Sequence, residues 1–121
     1  MTVRPPRLGK PADRDPLAAA LEQEIFNEKA STLSRLTKNL EAALARLAET
    51  GGEDRDERQH LERLAAAGEA LWNVTIQREL CGLRQHKAFY DFLGVPKAVR
   101  LNMGPAGLVL KSIGNRQSKE Q

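Results

Sequence analysis

The side chains able to do chemistry gather in residues 71–104, which hold the only Trp, the only Cys, the only Tyr, one of the two His and two of the three Phe. Cys81 is the one possible nucleophile. Arg78 precedes it by one helical turn, near enough to stabilise a thiolate. A base is missing, because His86 lies five residues on, about 140° round a helix and off the face of Cys81. A lone Cys between Leu80 and Leu83 reads as a small buried hydrophobe. His60 and His86 are the possible metal ligands, but neither has a second ligand at i+4. Glu79 and Asp91 are the carboxylates placed to join His86, and they complete no ligand motif. The chain has no Gly-rich phosphate loop and no Gly-x-Ser-x-Gly element. The expectation is therefore no catalytic residue, no metal and no cofactor, in a protein that is not an enzyme.

Gln77, Arg78 and Glu79 break an apolar segment between Ile76 and Leu80. Polar groups on a packed helix must find partners. A network of Trp72, Gln77, Arg78, Glu79 and His86 is expected, structural in preference to a binding site walled by Trp72.

The elements that position these residues read as helices. Asp15 suits an N-cap and Pro16 a first helical position. Apolar residues then recur at Leu17, Leu21, Ile25, Phe26, Ala30, Leu33, Leu36, Leu40, Leu44 and Leu47, a narrow seam that Gly51-Gly52 ends. Unbroken, this helix is ~51 Å long, which exceeds a compact domain of this size. It must bend (Ser31-Thr32 is the expected place), protrude or be covered by another subunit. Asp54 with Glu57 resembles a capping box for a second helix carrying Leu61, Leu64, Leu71, Trp72, Ile76, Leu80 and Leu83. The short link makes the pair an antiparallel hairpin. The small run Ala65–Gly68 would let another helix approach. Gly82 is expected to loosen this helix without ending it. A third segment reaches Leu93, with Gly94 as a left-handed cap, and a last short helix starts at Pro96 and stops at Gly104.

The chain thus divides into a flexible basic arm (1–14), a helical domain (15–104) and a tail (105–121) in which residues 108–110 dock as a short extended piece and 115–121 are loose. The fold class is all-α: a long helical hairpin plus two short C-terminal helices, in a dimeric bundle. Apolar content of 40% is mostly Ala and Leu, with only 4% aromatic, so the core is thin and favours pairing with a second copy. Leu33, Leu36, Leu40, Leu44 and Leu47 are the expected subunit interface. Net charge is +3 over residues 1–14, −5 over 15–82 and +5 over 83–121, an arrangement that suits a head-to-tail electrostatic match between copies. A single Cys, no secretory signal and no apolar run of transmembrane length imply a cytoplasmic protein without a membrane partner.

Residues 88–100 also carry a weak helix-turn-helix pattern, with Tyr90 standing where a small residue is usual. In this alternative the protein binds nucleic acid weakly through Arg4, Arg7, Lys87, Lys97 and Arg100.

Gln77-Arg78-Glu79-Leu80-Cys81-Gly82-Leu83-Arg84-x-His86, then Val95-Pro96-x-x-Val99 and Met103-Gly104, resemble a family of small bacterial helical proteins known only as a domain of unknown function. Val3-Arg4-Pro5-Pro6-Arg7 and the helix from Glu24-Ile25 to Leu36 are similar too. The resemblance implies an all-helical bacterial protein and no activity. The leading expectation is a non-enzymatic interaction or regulatory module acting as a homodimer, with an unidentified protein as a further partner.

Overall fold

A computed structural model describes residues 15–108, 110 and 111, and the expected basic arm and the end of the tail lie outside them. The described residues form four helices and no strand: α1 (Pro16–Glu49), α2 (Glu57–Leu80), α3 (His86–Leu93) and α4 (Lys97–Leu101). Asp15 caps α1 by accepting from the Leu17 amide, and Pro16 follows it. The helix runs unbroken through Ser31-Thr32. The cap of α2 is Asp56, not Asp54; its carboxylate accepts from the amides of Arg58 and Gln59, so it satisfies two otherwise orphaned donors.

α1 and α2 form the hairpin and α4 packs on α2. Leu40, Leu71, Val74 and Val99 are the largest fully buried side chains, each stabilising by roughly 1.5–3 kcal/mol. This removes Leu40 and Leu47 from the expected subunit interface. Leu40 and Leu47 are buried inside the chain's own core, and Leu33, Leu36 and Leu44 pack against it. α2 already occupies that face. At the turn, Thr50 is buried, its hydroxyl donates to the Leu47 carbonyl, and His60 Nδ1 lies 3.2 Å from it.

Gly82 ends α2, contrary to the expectation of a mere bend. It adopts φ 83°, the Leu83 amide returns to the Arg78 carbonyl (2.9 Å), and its own amide returns to Glu79 (3.0 Å). This paired return satisfies the last carbonyls and turns the chain off the helix axis. Gly94 repeats the device after α3, as expected, with φ 68° and the Val95 amide on the Tyr90 carbonyl. The small run in α2 has a definite use: a Cβ on Gly68 would collide with the Asn102 carbonyl, so glycine is what lets the end of α4 lie on α2. The expected extended piece is instead helical at 106–108 and 110–111.

Candidate functional site

The helix ends bring three of the five predicted network residues together. Arg78 Nε faces His86 Nδ1 at 3.5 Å, and His86 Nε2 lies 3.2 Å from Glu79 Oε1. These bonds fix the roles: Nδ1 accepts from the guanidinium, so Nε2 carries the proton and donates to the carboxylate. Arg78 also donates to the Gln85 carbonyl (3.3 Å) and lies over the Phe89 ring at 4.1 Å. The cluster clasps α3 to the end of α2. Gln77 points elsewhere, donating to the Lys29 carbonyl of α1 (3.1 Å). Trp72 stands on the exposed side of α2.

Cys81 caps α2, half-buried, with its thiol 3.8 Å from the same Lys29 carbonyl. Arg78 is committed to α3, and both ring nitrogens of His86 are occupied. The conditions for a thiolate nucleophile therefore do not converge. His60 is similarly engaged, between Thr50 and Arg55. Among the described residues no group of three or more His, Cys, Asp or Glu is placed to hold a metal ion.

A second polar centre had a weaker sequence signal. Asp91 accepts from Lys87 (2.9 Å) and Arg100 (2.9 Å), and these two bonds, Lys87 first, hold its carboxyl below the usual 3.8. The Lys87–Asp91 spacing of four is legible on a helix, whereas Arg100 arrives only through the Gly94 turn. Arg100 further donates to the Val95 carbonyl and lies 5.5 Å from the Tyr90 ring centroid. Two of the candidate nucleic-acid contacts are therefore tied to Asp91, Lys97 is exposed, and Arg4 and Arg7 lie outside the described residues. α4, which would be the reading helix, spans only ~7.5 Å. Beneath this layer Thr75 donates to the Leu71 carbonyl and receives the Tyr90 hydroxyl at 2.6 Å, with Met103 Sδ 3.7 Å from both oxygens.

One group of exposed apolar residues lies at the other side of the α2 terminus. Gln77 and Cys81 meet α1 at Lys29 and Ile25 lies beside Leu80 at the base of the overhang, so residues 16–24 extend ~14 Å past the end of α2. Leu17 (65% exposed), Leu21, Ile25 and Phe26 (62%) stand on this overhang, with Ile76 and Leu80 at the α2 end beside it. A cleft of about 290 Å³ joins the two, lined by Ile25, Glu28, Lys29, Thr32, Gln77 and Leu80.

A family of unknown function, DUF6665, matches residues 9–110, which take in all four helices. The chain belongs to that family. No curated protein and no solved structure matches it. The DUF6665 match covers the Arg78–Glu79–His86 clasp, the Asp91 centre and the overhang alike. Among the described residues of this DUF6665 chain, no helix is long and apolar enough to cross a membrane.

Proposed function

We propose that this protein is a non-enzymatic helical interaction or regulatory module that acts as a homodimer in the cytoplasm. The carrying observation is the α1 overhang, a helix that extends beyond the hairpin and whose apolar residues stand exposed among the described residues. Exposed apolar patches of this extent mark interaction surfaces. The polar centres support the same reading, because their bonds hold α3 and α4 in place with few groups left to meet a substrate. The lone Cys81 fits a reducing compartment.

The test is solution mass by light scattering across a protein dilution series. The wild type reads as a dimer. Leu21→Lys with Ile25→Lys gives a monomer whose hairpin retains its helical circular dichroism. Leu40→Lys, which places a charge in the core, unfolds the chain. A wild-type monomer at all concentrations would refute the proposal.

A further inference from the structure

The geometry points to a specific dimer: the two α1 overhangs pair antiparallel about a two-fold axis at Leu21. This rests on the homodimer reading and adds its register. Leu17, Leu21 and Ile25 recur every four residues and form one stripe. The stripe is symmetric about its middle member, so antiparallel pairing sets Leu21 on the partner's Leu21 and Leu17 on the partner's Ile25. Such self-complementarity is what a two-fold interface requires. Length agrees as well. Leu21 lies near the middle of residues 16–24, so the partner's overhang fills the ~14 Å beyond the α2 terminus and meets Leu80 and Ile76. Leu17, Leu21, Ile25, Phe26, Ile76 and Leu80 expose on the order of 700 Å² per copy, against the ~800 Å² per partner of a stable interface. The occupant is thus a second copy, lying where α2 would run if it were longer.

The experiment is oxidative crosslinking in a Cys81→Ser background. Leu21→Cys is solvent-exposed in one copy and folds; helices packed 8–10 Å apart place facing residues within disulfide range. Leu21→Cys is expected to crosslink to itself quickly. Leu17→Cys and Ile25→Cys each crosslink slowly alone, because their copies sit ~12 Å apart along the axis, and crosslink quickly when mixed. A dimeric mass with no Leu21→Cys crosslink overturns this register and leaves the homodimer standing. A monomeric mass overturns both.

Discussion

Gly68→Ala reverses the usual sign of a helix substitution. In a free helix Ala is preferred to Gly by about 1 kcal/mol. At position 68 the added Cβ would run into the Asn102 carbonyl oxygen and lie 3.0 Å from its carbon. Both are backbone atoms, so no rotamer change relieves the clash and the end of α4 must move away from α2. Overpacking of this kind costs about 1–3 kcal/mol. The shift also loosens Val99, the fully buried residue of α4 itself, whose burial stabilises by roughly 1.5–3 kcal/mol. Set against the propensity gain, the net loss is about 2–3 kcal/mol, or about 8–12 °C in Tm for a chain of this size. Ala66→Gly is the control: Ala66 is exposed two residues earlier on the same helix, and its loss is only ~1 kcal/mol. Urea unfolding followed by circular dichroism, at one fixed protein concentration, measures both. A Gly68→Ala protein as stable as the wild type would refute the docking of α4 on Gly68.

Two further outcomes follow from the polar centres. The Asp91 carboxyl is held below its ordinary value by Lys87 and then Arg100, so its stabilising contribution is present above the unfolded value and lost as pH falls through the folded one. The Tm gap between wild type and Asp91→Asn therefore closes as pH drops below ~4, and a gap independent of pH would contradict this. Arg78→Ala removes the Gln85 and His86 bonds and the Phe89 stacking, costing about 1–2 kcal/mol. Amide exchange then speeds up in residues 86–93 while the α1–α2 hairpin stays protected. Arg78→Lys does not restore the protection, because an ammonium lacks the planar fork.

Much of the fold was legible because it is written in local signals. The Leu33–Leu47 seam, Asp15-Pro16, Gly51-Gly52 and Gly94 each act within a few residues, and each stands where expected. The hairpin followed from them. What periodicity does not reveal is which partner fills a seam. The same leucines serve a subunit interface or an intramolecular one, and α2 decided for the second. Gly82 was misread because a glycine's cost inside a helix is small, so only the paired amide returns from Gly82 and Leu83 show that the chain leaves the axis there. In the clasp, Glu79 and His86 were readable from their spacing of seven. Arg78 meeting Phe89, and Arg100 meeting Asp91, depend on two left-handed turns whose direction no spacing records. Asp56 displaced Asp54 as the cap because both precede the helix and only geometry selects between them.

The overhang makes one helix uneven in its own stability. Residues 16–28 propagate from a helix that the hairpin has already nucleated but lack its packing, so they fray more readily than Leu40–Leu47. Amide protection in α1 is then graded, slow to exchange at its C-terminal half and fast at its start whenever copies are dilute. Pairing would even out that gradient, since whatever covers the overhang also supplies the ordering free energy of its backbone. Under the proposed pairing, the first turns of α1 become a gauge of how much of the protein is present, frayed when it is scarce and held when it is abundant.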